Sequence, residues 1–476
     1  MRIADTIERQ FAEIAEAQPD LLARHYTKAG LIDKAAALWG KAGYRSLERS
    51  ALFEAVEQLT RALGQIATLP STPALRREEI ELQVALIYPL MHVKGLAAPE
   101  SKMAAERARL LIERAEALGE PPDELLQLLS AIAALHDANI ATFDGDVGRE
   151  HAAQLLVLAE KSGDKVTLRR GHRRMGITLL VTGNFAQSVL HYDQALALCD
   201  PVDHWPLATR FAQDPQVITL MYRSLALRAL GYPDAARAGT EQALSEARET
   251  SHAAALMRAM SLTCLFQIIG GNYAIAKAQS DEMIVLAEGD KTGVLAKEKG
   301  SNYWKTSGML RRAWLLALTG KTSDAVGMFT SAIGSWCSTG ATLYWPVWLS
   351  HLARACGKVG QFEDAWSYID EAMTAVETTK WYEAEVHRIA GEIGRMSPER
   401  DAAKAEACFE RALAVARAQQ AKSFELRAAM SMARLWRDQG KRDEARDLLA
   451  PVYGWFTEGF DTLDLKQAKA LLDELA

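Results

Sequence analysis

The 476-residue chain has few cysteines, no long apolar run and no excess of positive charge. Its five cysteines, Cys199, Cys264, Cys337, Cys356 and Cys408, are odd in number and widely scattered. Without a C-x-x-C pair they form neither a zinc motif nor a disulfide framework, and small buried thiols in a reducing compartment are expected. The most apolar stretches, Leu262–Ile269 and Ala313–Leu318, fall far short of the ~20 residues that span a bilayer. The opening residues, Met1 to Arg9, alternate in charge and hold no apolar signal core. A cytoplasmic protein with no membrane partner is the expectation. Lys and Arg number 55 against 61 Asp and Glu, a net charge of −6, which excludes a generally basic nucleic-acid binder.

Catalytic patterns are missing too. There is no H-E-x-x-H and no Gly-x-Ser-x-Gly. Gly320-Lys321-Thr322 resembles the end of a phosphate loop, but such a loop needs a glycine five residues earlier, where Leu315 stands. Glu383, Glu385 and His387 lie close in sequence. On a helix, however, 383 and 387 share a face while 385 points elsewhere, so no metal site is expected. No catalytic residue, cofactor or metal is read from the chain, and it is not expected to be an enzyme.

Alanine is abundant, with 81 residues, about twice ordinary usage. That excess favours closely packed helices. It also has positions. A glycine is followed at +5, +9 and +12 by a small, a larger and a small residue. The pattern runs through Gly30 (Ala35, Trp39, Ala42), Gly183 (Ser188, Tyr192, Ala195), Gly271 (Ala276, Ser280, Met283), Gly320 (Ala325, Phe329, Ala332), Gly360 (Ala365, Ile369, Ala372) and Gly440 (Ala445, Leu449). Gly145 and Gly231 open weaker copies. Two copies lack the glycine: Leu52, Ala55, Leu59, Ala62, and Ala405, Phe409, Ala412.

Each unit predicts a helical hairpin. The glycine ends one helix in a left-handed cap, and an Asn or Asp after it is expected to cap the next. The small residues then let neighbouring helices approach. The period is near 40 residues, with two insertions around Asp200–Pro206 and Glu288–Gly300 that read as longer loops. Prolines, including Pro451, are expected mostly between helices, and Pro89 predicts a kink or break. An all-α, right-handed solenoid of about ten hairpins follows.

This series resembles tetratricopeptide repeats of the longer, roughly 40-residue kind. The flanks carry a closer resemblance. Ile3–Glu8 through Gln18–Gly30, Ala36–Gly43, Leu90–Glu100 and Arg434–Gly440 are similar to the C-terminal repeat region of bacterial class III adenylate/guanylate cyclases that also carry an ATPase domain. Neither a cyclase nor an ATPase domain is present in this chain. The resemblance therefore implies a regulatory module linked to that signalling rather than the activity itself. It implies three regions: 1–30 as a remnant of the ATPase junction that caps the stack, 31–460 as repeats, and 461–476 as a capping helix.

In tetratricopeptide proteins the first helix of each hairpin lines a concave groove, and the resemblance places residues 13, 10, 6 and 3 before the turn glycine on it. This selects Arg170, Arg173, Arg228, Arg258, Trp314, Arg354, Arg427, Arg434 and Arg437 as candidate groove residues. Arg169 and Arg174 should point away. Arginine's planar fork suits carboxylate, so an acidic peptide segment or acidic protein terminus is the expected partner. The other reading is that these arginines pair with acids on adjacent helices. Seven of the eleven tryptophans lie in residues 304–381. They either fill wide gaps between helices or line a small-molecule pocket, with Trp304, Trp345 and Trp348 as candidates.

Overall fold

The computed structural model describes residues 18–49, 51–94, 99–119, 145–199, 215–249, 253–288, 302–338, 341–397 and 401–476. Both predicted insertions, and most of the stretch expected to form the junction remnant, lie outside the described residues.

Among the described residues the chain is helical, with no strand. The helices are α1 (Pro19–Lys28), α2 (Ile32–Glu48), α3 (Leu52–Ile66), α4 (Pro73–Val93), α5 (Pro99–Ala117), α6 (Gly145–Ser162), α7 (Lys165–Val181), α8 (Phe185–Ala197), α9 (Pro215–Leu230), α10 (Pro233–Glu249), α11 (Ala253–Gly270), α12 (Tyr273–Glu288), α13 (Asn302–Leu318), α14 (Thr322–Cys337), α15 (Trp345–Lys358), α16 (Phe362–Val376), α17 (Glu383–Met396), α18 (Ala402–Ala418), α19 (Lys422–Asp438), α20 (Arg442–Gly454) and α21 (Leu463–Leu475). A short 3-10 turn, Lys380–Tyr382, precedes α17. No helix among the described residues is long and apolar enough to cross a membrane.

The hairpin turns show why the sequence repeats as it does. Gly30, Gly183, Gly231, Gly271, Gly320, Gly360 and Gly440 all have positive φ, between 76° and 98°. After each, the next N–H donates back across the turn to the last turn of the first helix: Asn184 to the carbonyl of Leu179 (2.7 Å), Tyr232 to Leu227 (2.9 Å), Asn272 to Gln267 (2.8 Å) and Gln361 to Cys356 (2.9 Å). This is the six-to-one bond of a Schellman cap, which satisfies carbonyls the helix end would leave open.

The expected side-chain caps do not form at these turns. Asn184 makes no capping bond and instead donates its amide to the Thr182 hydroxyl, 3.1 Å away. The backbone closes the turn, so no side-chain cap is needed. Gly145 opens α6 rather than taking a left-handed turn. Pro89 does not break α4, which runs on to Val93, and Pro451 sits inside α20.

The triplets are the contact points, small–large–small in most copies and Ala–Ser–Met after Gly271. Ser188, Tyr192 and Ala195, Ala276, Ser280 and Met283, Ala325, Phe329 and Ala332, and Ala365, Ile369 and Ala372 are all buried. A small residue lets two backbones close, and the larger one fills the space beside it. Gly391 makes the same point on the facing helix, where an added Cβ would lie 2.5 Å from the ring of Phe409.

From α1 to α5 and from α6 to α21 each helix packs on the next, and from α7 onward the first helices of successive hairpins also touch one another: α7 with α9, α9 with α11, and so on to α19 with α21. They form an inner layer. The stack then curls until its end meets its middle, because α9 also touches α19 and α11 touches α21. The seam is specific. Glu458 accepts from the N–H groups of Asp234 (2.9 Å) and Ala235 (3.2 Å) at the start of α10, and Gly459 donates to the Asp234 carboxylate (2.9 Å). A carboxylate at a helix N-terminus is favourably placed, since those N–H groups lack partners within the helix. Arg237 pairs with Asp461 (3.1 Å), Ser423 donates to the carbonyl of Arg228 (2.6 Å), and Trp455 meets the ring of Tyr232 edge-on.

Candidate functional site

The inner layer carries the chemistry, and it divides in two. One part is a chain of alternating charges. Arg354 of α15 pairs with Glu392 of α17 (3.0 Å), and Glu392 with Arg388 one turn earlier. Arg388 binds Glu385 through two nitrogens (2.7 and 2.9 Å), and Glu385 accepts from Arg427 of α19 (3.2 Å). Arg427 reaches Asp464 of α21 (2.9 Å), which also holds Arg228 of α9 (3.3 Å). Four arginines and three acids thus link five inner helices across the seam.

Their titration follows from that arrangement. Burial pushes the Glu385 carboxyl up, but Arg388 and Arg427 outweigh it and hold it at about 2. Glu392, also pushed up by burial, is held at about 2 mainly by Arg354 and Arg388. Burial lowers Arg228 to about 10, against the pull of Asp464. His351 lies stacked on Trp314, ring centres 3.7 Å apart, with Nε2 2.9 Å from the Tyr382 hydroxyl. Burial and then Arg354, Arg388 and Arg427 drive its pKa well below the usual histidine range, so the ring stays neutral.

Of the arginines selected by counting back from turn glycines, Arg228, Arg354 and Arg427 are members of this network. Arg434 approaches Gln467 (3.4 Å), and Arg437 pairs with Glu474 (2.5 Å) and Asp438 (3.0 Å). At Arg228, Arg354, Arg427 and Arg437 the fold itself supplies the carboxylates, whereas Arg434 reaches an amide oxygen. The counting rule missed Glu385, Arg388 and Glu392 because no turn glycine follows α17, leaving no origin to count from. Glu383 and His387 lie on another side of α17 from the fully buried Glu385, with His387 Nε2 3.9 Å from Glu383.

The other part of the inner layer is built differently. Arg170 is largely withdrawn from water, which lowers it to about 10, and Arg173 sits one turn on in α7. Arg169 and Arg174 are also buried, Arg169 against Cys199 and Arg174, one turn on from Arg170, against the Tyr88 hydroxyl. Arg258 of α11 lies with its guanidinium 5.7 Å from the ring centre of Trp304. Arg311 of α13, which the count passed over, is 1% exposed. Among the described residues no carboxylate meets it. It donates to the Ser261 carbonyl (2.7 Å), the Ser307 carbonyl (2.9 Å) and both serine hydroxyls, and lies 5.3 Å from the ring centre of Trp348.

The three pocket candidates stand in different settings. Trp304 is buried beside Met257, Met260 and Met283. Trp348 is at the centre of an aromatic core, edge-on to Trp314 and Trp336 at 6.4 and 6.2 Å. Trp345 is half-buried at the start of α15 and donates to Glu371 (3.0 Å). Trp314, the remaining groove candidate, is buried in the same aromatic core as Trp348. Among the described residues no group of three or more His, Cys, Asp or Glu could hold a metal ion.

No protein-family model matches the chain. No curated protein matches it either. Solved structures do. The chain is similar to a Rap protein complexed with competence and sporulation factor, at 12% identity and a TM-score of 0.53, over 84% of this chain and 100% of that one. It is similar to NprR in complex with its cognate peptide NprX, at 12% identity and a TM-score of 0.52, over 79% and 98% of the two chains. A third likeness is to the APC/C hetero-tetramer Cut9–Hcn1, at 13% identity and a TM-score of 0.50, over 99% and 94%. At such identity the likeness is one of fold, and it agrees with the turns and triplets described above: the chain is an all-α solenoid of tetratricopeptide-like hairpins.

Proposed function

We propose that the chain is a non-catalytic interaction module that takes a partner segment on its inner helical layer and responds to it as a regulator. One observation carries the reading: the two parts of the inner layer differ in charge balance. Between α15 and α21 the arginines of the charge network, Arg354, Arg388 and Arg427, are matched by acids of the fold. In α11 and α13, Arg258 and Arg311 meet no carboxylate among the described residues. A concave wall with unmatched guanidiniums favours an acidic peptide segment over a neutral one. Two of the similar structures hold peptides, the competence and sporulation factor and NprX, which supports a peptide as the class of partner. The link to cyclic-nucleotide or ATPase signalling is part of this proposal and rests on the resemblance of the flanking segments.

Selection of binders from a displayed random-peptide library, followed by amide exchange of the complexes, tests the reading. Protection is expected on α7, α9, α11 and α13. Protection confined to outer helices such as α10, α12 and α14 would contradict it, as would ATP hydrolysis or cyclisation by the purified chain. A small-molecule sensor is the second reading, favoured by the aromatic core around Trp348. A thermal-shift screen of metabolites separates it, since a large shift without any peptide would support the sensor.

A further inference from the structure

The inner surface between α9, α11 and α13 holds hydroxyls as well as guanidiniums. Tyr222 and Tyr344 are buried and Tyr303 is partly buried, yet their hydroxyls make no hydrogen bond among the described residues. A buried phenol normally finds a partner, so three hydroxyls without one among the described residues are unusual. Ring contacts place Tyr303 and Tyr344 around one site, and Tyr222 is close enough to act electrostatically on both. Tyr303 packs on Trp304 (4.8 Å) and on Trp336 (4.9 Å), Tyr344 lies 6.2 Å from Trp348, and Arg258 and Arg311 cover Trp304 and Trp348 respectively.

The two arginines differ in what they offer. Arg311 donates four hydrogen bonds to Ser261 and Ser307, which fix its plane and leave one of its five N–H groups. Arg258 makes no hydrogen bond or ion pair among the described residues, is half-buried, and has its guanidinium 5.7 Å from the ring centre of Trp304. Both guanidiniums act electrostatically on the phenols of Tyr303 and Tyr344. Burial raises Tyr303 to about 12 and Tyr344 well above its usual range, Tyr222 adds to both, and the arginines oppose the rise. The phenols are therefore donors at neutral pH. A fork, one further N–H and three hydroxyls gather beside an aromatic floor, without a carboxylate among them in the described residues.

We infer that Arg258, Arg311, Tyr222, Tyr303 and Tyr344 form an anchor for a single carboxylate attached to an apolar or aromatic body. The two oxygens of a carboxylate match the Arg258 fork, while the aromatic floor takes the body. The inference deepens the partner-segment reading and rests on it for a peptide's C-terminal carboxylate as the source. A free small carboxylic acid offers the same chemistry.

The test is a titration of the full chain, followed by tryptophan fluorescence, with N-acetyl-phenylalanine, with its C-terminal amide, and with acetyl-Ala-Ala-Ala-Phe. The free acids are expected to give a saturable change, with the amide at least tenfold weaker. Arg258→Gln should weaken the acids tenfold or more and leave the amide unchanged, while Arg258→Lys restores part of the loss. Tighter binding of the tetrapeptide points to a peptide source, and equal binding to a free acid. Equal binding of acid and amide, undiminished binding by Arg258→Gln with an unchanged melting curve, or no saturable change with any probe would overturn the anchor. If library-selected peptides still protect the inner helices and bind the Arg258→Gln chain normally, the anchor fails while the partner-segment reading stands.

Discussion

Glu385 is fully buried between Arg388 and Arg427, and its charge is retained because both partners are held in hydrogen-bonding reach. Removing one member of such a group leaves the others buried without compensation, at a cost of about 3–5 kcal/mol. Glu385→Gln should therefore destabilise the chain by about 3 kcal/mol in urea denaturation. Asp438→Asn, which removes the half-exposed partner of Arg395 and Arg437, should change stability by less than about 1 kcal/mol. The sign with pH is also set. A carboxyl whose pKa is lower in the folded chain stabilises the fold above its ordinary value and loses that contribution as pH falls through the folded value. Glu385 and Glu392, held at about 2 against an ordinary 4.5, should remove about 3 kcal/mol or more between pH 5 and pH 2. An unfolding free energy that stays flat over that window would contradict the network. One backbone position adds a further check. Gln420, between α18 and α19, is the non-glycine residue with positive φ among those described, at 55°. Gln420→Gly should stabilise the chain by about 0.5–1 kcal/mol, read from the denaturation midpoint.

At the scale of the element, the hairpins were legible because their signal is local. A left-handed cap demands glycine, and close helix contacts demand alanine, so both requirements recur with the repeat. The buried Ala325, Phe329 and Ala332 stand where counting from Gly320 puts them. The inner wall was less legible. Counting from turn glycines reached Arg228, Arg258, Arg354 and Arg427 but passed over Arg311, which lies off those positions, and Arg388, whose hairpin lacks the glycine. Nor does periodicity say whether an acid will stand opposite an arginine. That depends on which helix arrives from another hairpin, as Asp464 does beside Arg228. Two turn glycines separate the local requirement from the distant one. Gly320 has open space around it, whereas a Cβ on Gly231 would lie 2.6 Å from Trp455 and 2.8 Å from the Cβ of Lys422. Both substitutions to alanine strain a left-handed residue by about 1 kcal/mol. Gly231→Ala should lose at least about 1 kcal/mol more than Gly320→Ala in the same measurement. Equal losses would mean that α20 does not press on that turn.

The whole molecule is shaped by contacts that no repeat pattern specifies. Each tetratricopeptide-like hairpin touches mainly its neighbours, and such stacks are usually held by nearest-neighbour terms. Here the stack also meets itself. Glu458, Gly459 and Asp461 bind the start of α10, and Asp464 binds Arg228 across 236 residues of chain. Closure sets the inner layer: it brings α21 against α9 and α11 and turns Arg228, which counting alone assigns to a groove, into a structural ion pair with Asp464. It leaves Arg258 as the half-buried guanidinium of α11 with no ion pair among the described residues. The measurement that tests this most directly is the distance between the two sides of the seam. Spin labels at Glu241 on α10 and Lys466 on α21, both exposed, can be read by double electron–electron resonance after the exposed Cys337 is replaced by serine. Closure predicts one short, narrow distance that broadens and lengthens when Asp234 and Glu458 are both changed to alanine. A long, broad distribution in the chain with its seam intact would contradict it.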